Sequence, residues 1–381
     1  MDKLQWLKIR NFRGIKHCKL EDFTNLNVFI GKNNTGKSTI LESIYLNIVS
    51  QDLDLVGNAP LSFIFRRRGA SLDIPFPQRR YLDIDDLLHY LGYIFHCENL
   101  EEPVNLVSNL GEYELRVIRD EIQDELLEFV INYIIKRKLK KIEIGEVLFI
   151  IVDNLQRPLM IAFEEIIGDF VGYDIEFISH RLYIVDRHLR RQKRKKVILV
   201  DTHWLFHRKF EEPLTKKVLM SLEKYSKINK DQLIKFLSEQ LEYKISTIEP
   251  RLFDIYIVTE DDKFIPFSLL GDGTKISLIY FYVLSLENSY ILFEEPENHL
   301  HPKLMNHCVD LILESSNKNQ IFISTHSLEF LMMLLEKAKE RDVNLNVYKL
   351  LELKDGMLKY KLYKRDVAYA SIKEIGRDLR L

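Results

Sequence analysis

Cysteine is scarce in this chain. Cys18, Cys97 and Cys308 are the three present, far apart and in no CxxC or metal-type spacing. That argues against a disulfide framework and fits a reducing compartment. Long apolar runs are missing too. "IYFYVLSL" is among the longest, well short of the roughly 18 residues of a membrane span. The N-terminus, "MDKLQWLKIRNFRG", is charged within three residues and has no signal-peptide core. The expected location is the cytoplasm, with no membrane anchoring. One-sided charge is absent as well. The net charge is −2, so no global field drives the chain onto nucleic acid, and any such binding must be local.

What is present reads as a soluble globular protein: 46% hydrophobic and 29% charged residues over 381 positions. That length exceeds one ordinary core and suffices for two or three folding units. Residues 1–50 read as strand, turn, strand, loop and helix, with "NLNVFI" a short buried strand and Ile40, Leu41, Ile44, Tyr45 and Ile48 at helical spacing. Residues 51–245 differ. Charges are dense, several helical patterns appear ("RDEIQDELLEFVINYIIKRKLKK"), and "KKVILVD" gives a strand near 196–201. No internal repeat or sustained heptad run is present. From 246 the order is a hairpin turning at Glu260, Asp261 and Asp262, then helix, strand, helix, strand, helix, then a hairpin around Asp355-Gly356. Strands alternating with helices predict a mostly parallel sheet. The fold class is α/β: one head with a mixed sheet flanked by helices, assembled from 1–50 and 246–381, plus a largely helical insert or lid over 51–245.

"GKNNTGKSTI" begins with Gly31, and Gly31, Gly36, Lys37 and Ser38 fit G-x-x-x-x-G-K-[ST]. Glycines let the backbone curl so that successive N–H groups face a phosphate, and the helix starting near Lys37 adds its positive end. Lys37 would reach the β- and γ-phosphates, and the Ser38 hydroxyl would bind Mg²⁺. A surface glycine turn is the alternative, but a strand precedes this loop and a helix follows it, as the motif requires.

"YILFEEPENHLHP" is an apolar strand ending in Glu294 and Glu295. Carboxyl ends of parallel strands are where open α/β sheets place ligands. There Glu294 would hold the Mg²⁺ shell through water, and Glu295 would accept a proton from the attacking water. An ordinary acidic strand end is the alternative. In "QIFISTHSLEF" the next strand ends at His326, 31 positions after Glu295. One crossover would bring its imidazole to the γ-phosphate side, against the alternative of a structural histidine. Ser327 is placed to cap the following helix. Gly271 and Gly273 in "SLLGDGTKISL" precede another helix. Either this is a plain tight turn into a helix, or its N–H groups bind an anion, in which case the loop would serve a neighbouring subunit's site.

Taken in order, "IRNFRGIK", "GKNNTGKST", "LLGDGTKISL", "ILFEEPENHLHP" and "FISTHS" resemble the ABC/SMC-type P-loop ATPases, most closely the AAA-like branch related to RecF and the OLD family. The resemblance covers the first 50 residues and 246–340, and more loosely the tail. It implies a Walker A over Gly31–Thr39, including Asn33, Asn34, Thr35 and Thr39, and a Walker B ending at Glu294. It further implies a catalytic glutamate at Glu295, a D-loop-like turn at Glu297–His301, a switch histidine at His326 and an Arg13 that approaches the nucleotide. Ser268, Gly271, Asp272 and Gly273 fall at the signature position, which in such ATPases closes over ATP held by the opposite subunit of a homodimer. Three departures stand out. The signature is not L-S-G-G-Q, Glu294 stands where Asp is common, and the Q-loop has at best a substitute at Asp201–His203. The 55 residues after His326 are too few for the Toprim nuclease of many OLD proteins, so any nuclease would be a separate partner. "NKDQ" at Asn229–Gln232 lacks the fourth-position Asp of a guanine site, which favours ATP over GTP.

"RHLRRQKRKK", Arg187–Lys196, carries seven Lys or Arg in ten residues, and Arg66–Arg68 and "KRKLKK" add more. Such a run is either a solvated loop or a sequence-independent contact to the DNA or RNA backbone. Two functions follow. One is an ATP- and Mg²⁺-dependent dimeric ATPase switch in nucleic-acid metabolism or defence against foreign DNA. The other is a nucleotide-binding scaffold that controls a separate effector protein, a nuclease or toxin, with slow turnover.

Overall fold

The computed structural model describes residues 1–50, 52–58, 60–67, 94–96, 99–118, 143–153, 158–167, 177–184, 194–201, 230–241, 243–250, 255–376 and 378–380. The N-terminal strands are β1 (Leu7–Phe12), β2 (Ile15–Leu20) and β3 (Leu26–Ile30), followed by helix α1 (Lys37–Val49). The middle of the chain supplies α2 (Pro60–Arg67), β4 (Val104–Ser108), β5 (Gly111–Ile118), β6 (Glu143–Asp153), β7 (Pro158–Ile167), β8 (Phe177–Ile184), β9 (Val197–Asp201) and α3 (Lys230–Leu241). Then come β10 (Ile245–Pro250), β11 (Ile255–Thr259), β12 (Phe264–Pro266), α4 (Asp272–Leu284), β13 (Tyr290–Glu294) and α5 (Pro302–Ser315). The chain closes with β14 (Gln320–Thr325), α6 (Leu328–Glu340), β15 (Leu345–Lys354), β16 (Met357–Lys364) and α7 (Arg365–Lys373).

Thirteen strands form one sheet in the order β8-β7-β6-β5-β4-β1-β2-β16-β15-β3-β14-β13-β9, and β10-β11-β12 form a small second sheet. The neighbours β15, β3, β14, β13 and β9 run parallel. Parallel strands with helices on both faces are buried on both sides and read as continuous apolar runs. "LNVFI", "YILFE", "QIFIST" and "VILVD" are such runs, buried along almost their whole length. The other half of the sheet, from β1 to β8, is antiparallel.

The α/β head with its mixed sheet is as expected, and N-terminal β3 sits between C-terminal β14 and β15. The middle stretch differs from the helical expectation. Its described residues contribute six strands to the main sheet and two helices. The helical pattern at 119–141 lies outside the described residues. The physical reason is a period ambiguity. "EVLFIIVD" in β6 is a continuous apolar run, which alternation cannot assign, and its β-branched Ile and Val favour a strand. The strand expected near 196–201 is β9, and it belongs to the head's parallel core rather than to a lid.

Local chemistry explains the ends of elements. The β15–β16 hairpin turns at Asp355 and Gly356, both with positive φ (51° and 74°), as a two-residue turn matched to strand twist demands. Ser327 caps α6 by accepting from the Phe330 amide at 3.1 Å. No helix among the described residues is long and apolar enough to cross a membrane.

Candidate functional site

The parallel register lines up four strand ends. Glu294 on β13 pairs with Asp201 on β9 and with Ser324 on β14, while Thr325 pairs with Ile30 on β3. Gly31 to Gly36 therefore leave the sheet beside Glu294, Glu295 and His326. In the sequence Glu294 follows Gly36 by 258 residues and His326 follows it by 290, and main-chain pairing brings them to one edge, where open α/β sheets hold ligands.

The loop is built as a cradle. Asn34 (φ 62°) and Gly36 (φ 94°) take the left-handed region, and the Thr35 hydroxyl donates to the Lys32 carbonyl at 2.8 Å. Lys32, Asn33 and Asn34 are exposed at the rim, whereas Thr35, Lys37 and Thr39 are buried. Lys37 Nζ donates to the carbonyls of Gly31 and Lys32, both at 2.9 Å, and so spans the loop from inside. Burial lowers the Lys37 pKa, while Glu295 and Glu297 pull it back up. Gly31 admits no side chain: a Cβ there would lie 2.7 Å from the Leu350 carbonyl and 3.0 Å from Thr35 Oγ1. Gly31→Ala is expected to destabilise the protein by about 1–3 kcal/mol, the usual cost of overpacking, and to weaken nucleotide binding. Thermal melts and a nucleotide titration check both.

On the facing strands, Glu294 Oε1 accepts a short hydrogen bond from the Ser38 hydroxyl. The two residues expected to share a metal are thus in direct contact. Their donors are hard oxygens, with the Asp201 carboxylate in register beside them. That set fits Mg²⁺, which takes one or two protein oxygens and completes its shell with water and phosphate. Among the described residues, no three His, Cys, Asp or Glu side chains cluster as a metal cage of their own.

Glu295 adopts a left-handed backbone (φ 48°). This conformation costs a non-glycine residue about 1–3 kcal/mol and tends to mark functional sites. Its N–H is tied to the Ser324 carbonyl at 2.9 Å. Both carboxylate oxygens are held: Oε2 accepts from Asn298 Nδ2 at 2.9 Å, and Oε1 lies 3.1 Å from His326 Nδ1. Behind them, Glu297 accepts from Thr325 Oγ1 at 2.6 Å. Burial raises the Glu297 pKa, and the Thr325 hydroxyl opposes that rise. In the Glu297–His301 turn, His301 caps α5 by accepting from the Lys303 amide.

Arg13, also left-handed (φ 52°), contacts the buried Glu42 on α1. Ser268, Gly271 and Asp272 are exposed at the start of α4, while Gly273 packs under the His299 carbonyl, which would sit 3.0 Å from an added Cβ. Residues 187–193 of the basic run, the run at 136–141 and positions 202–203 lie outside the described residues. Within the run's end, Arg194 donates to the Leu55 carbonyl at 3.2 Å and Lys195 lies 3.5 Å from Asp52.

Sequence reasoning missed Arg67 and Glu42. The Arg67 side chain is 1% exposed and touches three carboxylates: Glu42 Oε1 at 2.5 Å, Asp201 Oδ2 at 2.6 Å and Glu294 Oε2 in closer contact. One signal was available. Glu42 sits inside "STILESIYLNIV", a helix buried on nearly every side, and a carboxylate there needs a cationic partner. Nothing in the sequence says which of three consecutive arginines supplies it.

A family model described as "AAA ATPase domain" matches residues 3–245, and one described as "AAA domain, putative AbiEii toxin, Type IV TA system" matches residues 184–332. An "ATP/GTP phosphatase" of Helicobacter pylori is 20% identical over 358 residues, covering 89% of each chain. The "DNA replication and repair protein RecF" of Lactococcus lactis is 23% identical over 362 residues, covering 90% of this chain and 98% of the relative. An SMC head solved with the C-winged helix domain of ScpA is 13% identical, with a TM-score of 0.43 over 96% of this chain and 100% of that one. A match that runs from residue 3 to residue 245 takes in more than half of the sequence, and it makes this protein a member of the AAA ATPase domain family, an ATPase with RecF among its relatives.

Proposed function

We propose that the protein is a dimeric, ATP-hydrolysing switch that works on nucleic acid. One observation carries the hydrolytic part: Ser38, Glu294, Glu295 and His326 converge at the ends of paired parallel strands beside the phosphate loop. Loop N–H groups and Lys37 would bind the β- and γ-phosphates of ATP. Glu295 would take a proton from a water whose oxygen bonds to the γ-phosphorus, while the bond to the β–γ bridging oxygen breaks and that oxygen leaves with ADP. His326, 3.1 Å from Glu295, would orient that carboxylate and face the γ-phosphoryl group. Mg²⁺ held by Ser38 and Glu294 would neutralise phosphate charge. The exposed segment around Ser268, Gly271 and Asp272, with Leu269 77% exposed, supports the dimer reading, in which this edge covers the nucleotide of a second copy.

The nucleic-acid part rests on the open face of the antiparallel half. Lys8 and Lys19 sit directly opposite each other on β1 and β2, with Arg10 opposite His17, and all four are exposed. Met357 on β16 pairs with His17, so alternation places Lys359 and Lys361 on this same face. Glu21 and Glu102 pair with Lys19 and Arg10 at this surface, and a phosphate backbone would compete with these carboxylates for the cations. Double-stranded DNA should accelerate ATP hydrolysis. The pair K8E/K19E should weaken DNA binding by about tenfold or more at low salt and flatten its salt dependence. DNA that leaves turnover of the wild type unchanged removes this part of the reading.

The second reading, a nucleotide-bound scaffold for a toxin or nuclease, draws on the match of residues 184–332 to a family described by a putative toxin. It expects slow turnover that nucleic acid does not change, and the same assay separates the two.

A further inference from the structure

We infer that Arg67 is an internal cation that holds the place of the divalent metal in the nucleotide-free head. The inference rests on the reading of Ser38 and Glu294 as the metal's protein partners. Arg67 ends α2, and its guanidinium reaches Glu42 on α1, Asp201 at the end of β9 and Glu294 at the end of β13. The planar guanidinium fork presents five donors and can bridge several carboxylates at once.

The geometry makes this more than a structural ion cluster. One oxygen of Glu294 contacts Arg67 and the other accepts the Ser38 hydroxyl. Arg67 therefore already neutralises the carboxylate that would attract a metal. Glu42 is in turn shared with Arg13, so among the described residues three carboxylates face two guanidiniums. The cluster is nearly balanced without any metal, and a bare divalent cation gains little by entering. A nucleotide changes the balance. Its phosphates bring negative charge to Ser38, a metal arriving with them competes for Glu294, and Arg67 stays anchored by Glu42 and Asp201. Arg67 is on this account a positioning residue. It keeps the metal site closed to free cations and opens it to the metal–nucleotide pair.

The test uses Mn²⁺ as probe and does not depend on turnover. Mn²⁺ binding to nucleotide-free protein is measured by electron paramagnetic resonance for the wild type and Arg67→Gln. Thermal melts of both are run in EDTA and in millimolar Mg²⁺. Arg67→Gln should bind Mn²⁺ at least about tenfold more tightly, because a unit charge a few ångströms away is worth that factor or more even at an effective dielectric of about 20. Its melting temperature should fall by about 5–10 °C in EDTA, since buried carboxylates lose their partner, and Mg²⁺ should restore most of it while barely moving the wild type. Equal Mn²⁺ affinity in the two proteins, or a melting temperature that Mg²⁺ does not restore, overturns the inference. If Arg67→Gln does not fold, R67Q/E42Q keeps the net charge but still frees the Glu294 oxygen that Arg67 contacts, so it should bind Mn²⁺ more tightly than the wild type by a smaller factor than the single variant, and an affinity equal to the wild type's overturns the inference. A wild type that fails to bind Mn²⁺ even with ATP present would instead count against the metal reading of Ser38 and Glu294.

Discussion

Glu295→Gln is expected to bind ATP as tightly as the wild type, to release phosphate about 100- to 10,000-fold more slowly, and to accumulate as an ATP-bound dimer. The amide cannot accept the proton that water must lose. It can still occupy the same position. Its oxygen can accept from Asn298 or face His326, where Glu295 now sits at 2.9 Å and 3.1 Å respectively. The substitution thus removes the base and leaves the scaffold, which is why hydrolysis and binding should separate. Phosphate release, nucleotide titration and light scattering with ATP measure the three consequences. Full hydrolysis by the variant would remove Glu295 from the role of base.

Lys37→Ala should lose roughly 100-fold or more in nucleotide affinity, the value of two charge-assisted hydrogen bonds. Before nucleotide arrives, the ammonium group lies buried against the carbonyls of Gly31 and Lys32. Those bonds preshape the loop and are exchanged for phosphate oxygens on binding. Burial disfavours the charged ammonium, as its lowered pKa records, and a phosphate offers more compensation than two neutral carbonyls. Alanine provides neither the charge nor the reach. Unchanged affinity in a titration with a fluorescent ATP analogue would dismiss the phosphate-loop reading.

Much of this site was legible because its chemistry follows short-range rules. A glycine loop between strand and helix, two carboxylates closing an apolar strand and a histidine closing the next each announce themselves within ten residues. β13, α5, β14 and α6 follow one another in the order that the alternation of strand and helix predicts. The middle of the chain was read less well, since runs such as "EVLFIIVD" carry no period that separates strand from buried helix. Arg67 was illegible for another reason. Its partners are Glu42, Asp201 and Glu294, which only the closed sheet brings to one point, and local pattern records no such closure.

The position of β3 between β14 and β15 also bears on how the protein comes into being. The Asn27 side chain bonds the Ile321 carbonyl across 294 residues, and among the described residues β3 pairs with β14 and β15 alone. At about 5–20 residues per second of synthesis, the strand that launches the phosphate loop waits tens of seconds for its flanking strands to be made. A growing polypeptide therefore carries the loop's sequence for most of its synthesis without the loop's structure. The loop would have its frame for ATP only once β14 and β15 have emerged, so nucleotide capture would report that the strands flanking β3 are in place.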